Sequence, residues 1–398
     1  MKIGIPIILS LSLSFQKSFS RPLNHCNWLS SNFQRTINRR NPNSTNSSRG
    51  RSFSSFISTP KGHQIRSTIP VAMTSPSAVT TGLLSENAAA KITLIESIIG
   101  TDAGDRGMKA LIVPNDLHQA AITFTSLTPN SYVVILSGFP CCVNHSPPTE
   151  TDGPPGAISI ARTALSLGHN VILVTDECNE IVFRAAAECL PDIEFEIFPD
   201  EKSMKKEDEE RMKSLVEKTC DLIISCERAG PAKDGVCYTM RGINMNEKGL
   251  IAPIHKIVDM ARDLRPEVKY IAIGDGGNEM GMGKVIDRIR NSDKIKDGDK
   301  IGAVTLCDFL IAASVSNWGG YALSGSCAVV KNDEENGDEN VDWVNKLVPS
   351  EEEEVALLER CVKMGCRDGV SGQMEATVDG MPLERSMECL RDIREAGY

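Results

Sequence analysis

Two rhythms of apolar residues alternate through residues 84–398. Short, mostly apolar runs fall at 132–136, 170–174, 195–198, 221–225 and 270–273, and residues 304–313 are apolar enough to supply a further one. Such runs, bounded by Gly, Pro, Asp or Asn, predict strands buried on both faces. Between them, apolar residues recur at helical spacing over 84–99, 157–167, 180–190, 202–218, 251–264 and 382–395. Ser85 stands where an N-cap belongs, and Gly168 where a helix should stop. Four consecutive acids, Glu351 to Glu354, predict a further helix start, because acids complement the helix dipole there. Alternation of this kind predicts an α/β fold, a mostly parallel sheet flanked by helices in α/β/α layers. No flexible linker divides residues 84–398, so they read as one domain. Residues 332–340 read as an acidic surface loop.

The first 85 residues follow neither rhythm. They carry ten Lys and Arg, no Asp or Glu, and much Ser, Asn and Thr. That composition predicts an organelle-targeting presequence, disordered over about 1–73. The apolar stretch after Lys2 is too short to span a membrane, which takes about 20 residues, and no A-x-A-like cleavage site follows it closely. Arg51-Ser52-Phe53-Ser54-Ser55 resembles the processing site of plant mitochondrial presequences. The mitochondrial matrix is therefore the expected address, with a plastid as the alternative.

Charge changes the picture only after that stretch is set aside. Ten of the 43 Lys and Arg residues lie in it, which leaves 33 against 53 Asp and Glu, a net charge of −20. A surface of that sign disfavours nucleic acid and anionic membranes as partners. A small molecule is the expected partner, and the oligomeric state is open. Thirteen cysteines form no C-x-x-C pair. Cys189, Cys220, Cys226 and Cys307 lie in apolar runs and read as buried thiols. Cys141-Cys142 are adjacent, a poor geometry for a structural bridge, and Cys142-x-x-His145 alone is a weak metal signal.

In an open parallel sheet, ligands bind beyond the carboxyl ends of the strands. Acids follow these ends repeatedly: Asp152, Asp176, Glu227, and then Gly274-Asp275-Gly276-Gly277-Asn278-Glu279. Carboxylates sharing a crevice repel one another unless protonated or bridged by a cation. Oxygen ligands of this kind suit Mg²⁺ or Mn²⁺. The glycine-rich loop matches neither nucleotide cradle. The Walker A pattern would need a glycine at Asn278 and a Ser or Thr at Val285, and the dinucleotide pattern would need a third glycine at Glu279. No nucleotide is expected, although a helix starting near Met280 would offer N–H groups to an anion. Arg228 and Arg241 are candidates to grip a carboxylate with two parallel hydrogen bonds.

Four separated motifs occur in one order. They are Glu150-Thr151-Asp152-Gly153-Pro154-Pro155-Gly156, Met240-Arg241-Gly242, Gly274 through Gly283, and Ser316-Asn317-Trp318-Gly319-Gly320-Tyr321. Together they resemble the D-glutamate cyclase C-terminal domain family, from about Ala90 to the C-terminus, in a plant organellar form. The resemblance implies a lyase that interconverts D-glutamate and 5-oxo-D-proline with loss or gain of water. In that scheme Asp275, Glu279, Asn278 and Asp152 hold a divalent metal. Glu227 or Asp176 moves protons, alongside Asp275 and Glu279 as catalytic groups. Arg241, Arg228, Asn317, Gly276 and Gly277 bind substrate. A metal-dependent phosphohydrolase and a non-catalytic binding protein for an acidic metabolite are the alternatives.

Overall fold

The computed structural model describes residues 84–335 and 341–398. The expected presequence lies outside these residues. Within them, six strands form one sheet: β1 Tyr132–Gly138, β2 Asn170–Asp176, β3 Ile193–Phe198, β4 Leu222–Arg228, β5 Lys269–Gly274 and β6 Phe309–Ala312. Their order is β3-β2-β1-β4-β5-β6, and every neighbouring pair is parallel. The α/β/α expectation therefore holds. Val133 and Ile135 pack into one core while Val134 and Leu136 pack into the other. Both faces are covered, which is why the strands read as continuous apolar runs.

Twelve α-helical segments surround the sheet: α1 Glu86–Ile99, α2 Asp116–Thr125, α3 Pro154–Ser166, α4 Glu180–Ala186, α5 Lys206–Lys218 and α6 His255–Leu264, then α7 Ile286–Arg290, α8 Gly298–Ile301, α9 Ser316–Glu334, α10 Trp343–Leu347, α11 Glu351–Lys363 and α12 Leu383–Gly397. Helices α3 and α9 lie on one face, backed by α1, α2, α11 and α12, while α5 and α6 cover the other. Ser85 caps α1, its hydroxyl accepting from the Ala88 N–H at 3.1 Å. Ser350 and Glu353 form a reciprocal capping box at α11, which fixes the start that the acidic run announces.

Several boundaries differ from the sequence expectation. Helix α5 begins at Lys206, because Asp200 first closes a turn by accepting the Lys202 N–H at 3.0 Å. Helix α6 begins at His255, and α4 tightens into a 3₁₀ turn over Ala187–Cys189. Near Met280 there is a 3₁₀ turn, Met282–Val285, followed by the five-residue α7, so the expected anion-binding helix start is absent there. The 332–340 loop is partly helix, since α9 runs to Glu334, and residues 336–340 lie outside the described residues.

The long helix α9 has no amphipathic signal, because residues 316–330 are buried on every side. Its Gly319-Gly320 pair makes that burial feasible. A Cβ at Gly320 would stand 2.6 Å from the Gly156 carbonyl oxygen of α3, and one at Gly319 would collide with Ile273 of β5. The small residues seat α9 against both helix and sheet. Strand order reverses between β1 and β4, with α3 and α6 leaving on opposite faces, so the crevice expected for a ligand opens there. Among the described residues, no helix is long and apolar enough to cross a membrane.

Candidate active site

The carboxyl ends of β4 and β5 supply the floor of a cavity of about 280 Å³. At the carboxyl end of β4, next to its last residue Arg228, Glu227 is a non-glycine residue at φ +43°, a conformation that few non-glycine residues adopt. Beyond β5 the chain curls around one of its own carboxylates. Glu279 accepts the Gly276 N–H at 2.8 Å and the Gly277 N–H at 2.7 Å. A Cβ at Gly276 would stand 2.9 Å from both Asn278 Oδ1 and Glu279 Oε1, and Gly277 sits at φ +102°. The glycines are thus required by the curl itself. Asn278 donates to the Tyr238 carbonyl at 2.7 Å, which leaves its buried Oδ1 with no partner.

Further acids converge from distant loops. Asp152 precedes α3 and accepts the Ser316 and Asn317 N–H groups of α9, each at 2.8 Å. Glu227 accepts the Ser316 hydroxyl at 2.5 Å. Glu150 and Asp379 line the cavity. One cation answers this group from within: Arg106 donates to Asp275, to Asp379 at 2.7 Å and to the Ser314 carbonyl at 3.0 Å. Six buried or nearly buried carboxyls, Glu150, Asp152, Glu227, Asp275, Glu279 and Asp379, therefore gather here, and Arg106 bonds two of them.

Electrostatics follow from that ratio. Burial, and then the Asp275, Glu279, Asp152 and Glu150 charges, push Glu227 well above the usual carboxylate range. Burial, with Asp379 next, pushes Asp152 up to about 8. Burial pushes Asp275 up to about 7, against the opposing pull of Arg106. Glu150 and Asp379 are also raised well above normal, chiefly by burial. Neighbouring carboxyls with displaced titrations are suited to holding and passing protons near neutral pH.

The structure separates the candidates named from sequence. Asp275, Glu279, Glu227, Asn278, Gly276, Gly277 and Asp152 come together. Asp176 and Arg228 do not join them, because they spend themselves on each other. The Arg228 fork reaches both Asp176 oxygens, and its terminal nitrogens also donate to the Gly138 carbonyl at 3.1 Å and the Ala252 carbonyl at 2.8 Å, while its Nε has no partner. Both side chains are shut off from solvent. Neither is placed to move a proton or to grip a substrate carboxylate. Asn317 is likewise committed, accepting from the Gly153 and Gly156 N–H groups at 2.9 Å and donating to the Thr151 carbonyl at 3.0 Å. It fixes the start of α3 and does not line the cavity. Arg241 stands exposed on the cavity wall, donating to the Val370 carbonyl at 3.0 Å.

Sequence reasoning missed Arg106, Glu150 as a wall residue, and Asp379. Arg106 sits in Asp102-Ala103-Gly104-Asp105-Arg106-Gly107, and Asp379 precedes Gly380, so both occupy Gly- and Asp-rich turns that carried a signal. Of the thiols read as buried, Cys220 and Cys226 are so, while Cys189 is exposed on a 3₁₀ turn and Cys307 is half-buried.

Among the described residues, two groups place carboxylate oxygens within 4.8 Å of one another: Glu227 with Asp275 and Glu279, and Asp152 with Asp275 and Asp379. The metal set expected from sequence is therefore divided, Asp152 falling in the second group. Arg106 bonds two members of the second group, Asp275 and Asp379, but only the shared Asp275 of the first. The first has the orphaned Asn278 Oδ1 beside Glu279, an acceptor in a cradle that a Cβ at Gly276 would fill. An oxygen-only donor set of this kind fits a hard divalent cation.

The D-glutamate cyclase-like C-terminal family matches residues 95–394. Human mitochondrial D-glutamate cyclase is 35% identical over 326 residues, which cover 76% of this chain and 51% of that protein. The chain thus spans about half the length of that relative.

Proposed function

The chain belongs to the D-glutamate cyclase-like family, and from that premise we propose that it interconverts D-glutamate and 5-oxo-D-proline plus water, as a hydro-lyase. The observation that carries this reading is the excess of buried carboxyls around a cavity of 280 Å³. That volume lies just below the ~300 Å³ at which drug-sized ligand pockets begin, which suits a small metabolite.

Ring closure forms a bond from the amine nitrogen to the carbon of the γ-carboxyl group and breaks a C–O bond there. The two protons released by the ammonium leave with that oxygen as water. Glu227, held protonated by its surroundings, gives a proton to the departing oxygen and regains one from the nitrogen. Arg241, at the wall, holds the α-carboxylate and sets the handedness. Gly276 and Gly277 let the loop lie close against the substrate. Enclosure of the folded conformer adds proximity, which is worth several kcal/mol, about 7–11 at most, in ring closures. Asp275, Glu279 and Asn278 are the residues to hold Mn²⁺ or Mg²⁺, which when bound supplies positive charge to the γ-carboxyl oxygens. No nucleotide enters the scheme. A phosphohydrolase is disfavoured, because the Gly276 and Gly277 N–H groups that would cradle phosphate are occupied by Glu279.

The test is incubation of the full chain with each enantiomer of glutamate and of 5-oxoproline, with and without Mn²⁺, followed by chiral chromatography. Conversion of the D-compounds alone is expected. No conversion of either D-compound in the presence of metal overturns the reading, and cleavage of an aryl phosphate lost in Asp275→Ala replaces it with the phosphohydrolase. The basic, acid-free N-terminal stretch and the mitochondrial relative support an address in the mitochondrial matrix, the plastid being the alternative. A fluorescent fusion of residues 1–83 distinguishes them.

A further inference from the structure

The cavity wall carries one thiol, Cys141, with a second, Cys142, beside it, and the cyclase scheme uses neither. Cys141 and Cys142 follow β1, and their sulfurs stand 3.8 Å apart. Cys141 lines the cavity itself. The loop that carries the pair is pinned, since the Cys142 N–H donates to the Pro148 carbonyl at 3.0 Å and the His145 N–H to the Cys142 carbonyl at 2.9 Å. On the far side, the Cys141 sulfur and Glu150 both crowd one point of backbone: a Cβ at Gly369 would stand 3.2 Å from that sulfur and would overlap the Glu150 carboxyl. The pair is thus held at near-contact distance on a fixed loop, with one sulfur against a wall carboxyl.

We propose that Cys141 and Cys142 form an oxidative modification site, which a hydroperoxide closes to a vicinal disulfide, moving the Cys141 sulfur away from Glu150 and changing the cavity wall. In the first step a Cys142 thiolate attacks one peroxide oxygen, giving a sulfenic acid and an alkoxide (hydroxide when the oxidant is hydrogen peroxide), which takes up a proton. In the second the Cys141 thiol attacks that sulfur, the S–S bond forms, and the sulfenic oxygen leaves as water. Two electrons pass from the pair to the peroxide, and the two thiol protons end one in water and one in the alcohol, or both in water when the oxidant is hydrogen peroxide. The electrostatics agree with this order. The Cys142 thiol is lowered, first by the hydrogen bond from Cys141 and then by Arg367 and Arg241, whereas the Cys141 thiol is raised. Thiolate character beside arginines marks the attacking sulfur.

Adjacent cysteines lie ~3.8 Å apart at Cα, below the usual ~4.4–6.8 Å of a relaxed disulfide. Such a bond is strained, and strained bonds are the readily reduced, regulatory ones. This site stands on its own geometry; its effect on turnover rests on the cyclase reading.

The full chain is titrated with hydrogen peroxide, alkylated with N-ethylmaleimide and digested. The peptide carrying both cysteines is expected to lose two hydrogens and its alkylation, before exposed Cys189 is modified, and dithiothreitol should restore both. Cys141→Ser and Cys142→Ser should each abolish the two-hydrogen loss, whereas Cys366→Ser, at a buried neighbouring thiol, should not. Phenylarsine oxide, which captures paired thiols, provides a second measurement on the unsubstituted chain: one equivalent should bind and block the oxidation. A pair that stays reduced and alkylatable while Cys189 oxidises, or a Cys142 link to Cys366, overturns the proposal. If the chain turns over 5-oxo-D-proline, that rate should fall about tenfold or more on closure, as displacements near 1 Å do. Disulfide formation without any change in rate leaves the modification site standing and removes its regulatory role, while an inactive chain that still forms the disulfide faults the cyclase reading alone.

Discussion

Two ionic clusters lie buried at neighbouring strand ends, and they differ in one respect. At the ends of β2 and β4, Asp176 meets Arg228 one to one, and three further hydrogen bonds tie them to backbone groups. At the ends of β4 and β5, six carboxyls crowd together, and Arg106 bonds only Asp275 and Asp379 among them. The first cluster is complete in charge without a ligand, although the Arg228 Nε lacks a partner; the second sets six carboxyls against one bonded guanidinium. Burial of an acid at a strand end is therefore a poor sign of function on its own, and incomplete compensation is the better one.

The sharpest way to test that contrast is to break the complete cluster. Arg228→Met leaves Asp176 buried and unpaired, and should destabilise the fold by about 3–5 kcal/mol. Chemical denaturation reads this directly. Asp275→Asn removes one of several repelling carboxyls, so it should leave the melting temperature unchanged or higher despite equal burial. Equal losses from the two variants would erase the distinction between the clusters.

Next in size is the effect on chemistry. Glu227→Gln keeps the shape of the protonated acid but cannot pass a proton, so turnover should fall about 10²–10⁴-fold, with folding intact by circular dichroism. Divalent cation should act on the incomplete cluster alone. Mn²⁺ at 100 times its dissociation constant stabilises a protein by about 2.7 kcal/mol. A rise in melting temperature with Mn²⁺ is expected for the parent chain and for Arg241→Ala, and not for Asp275→Asn.

The response to pH should be milder and of definite sign. Asp275 and Asp152 titrate near 7 and 8 in the fold, above their ordinary value of 3.8. Groups raised in this way add stability that is fully present below about pH 4 and lost as pH rises through 7 to 8. With chelator present, the melting temperature should decline between pH 5 and pH 8. Mn²⁺ should oppose that decline, because metal binding favours the ionised carboxylates. A melting temperature that climbs across this interval would contradict the raised titrations.

The sheet was legible because its strands are apolar on both faces, and the acidic loop because glycine is needed where Glu279 folds back on its own backbone. The partnership of Asp176 with Arg228 was not legible. It joins side chains 52 positions apart, and composition cannot say whether an arginine near acids is committed or free. Helix α9 was missed for a related reason, since a helix buried on all sides shows no polar face. Arg106 and Asp379 reach the site from turns 169 and 104 positions from Asp275. Only the turn chemistry of their neighbours hinted at them.

Arg241 is the smallest perturbation and the one that bears on substrate. Unlike Arg228 it is exposed, and its one protein hydrogen bond, to the Val370 carbonyl, leaves most of its fork open. Arg241→Ala should therefore change stability by no more than about 0.5 kcal/mol, as surface substitutions do. If the guanidinium grips the α-carboxylate equally in the ground and transition states, KM for 5-oxo-D-proline rises about tenfold with kcat unchanged, a cost of about 1.4 kcal/mol. Arg241→Lys should recover only part of that loss, because an ammonium cannot reproduce the two parallel hydrogen bonds. A fall in kcat with KM unchanged would instead assign Arg241 to the reacting carbon, and the α-carboxylate would then need its cation from Arg106, inside the incomplete cluster.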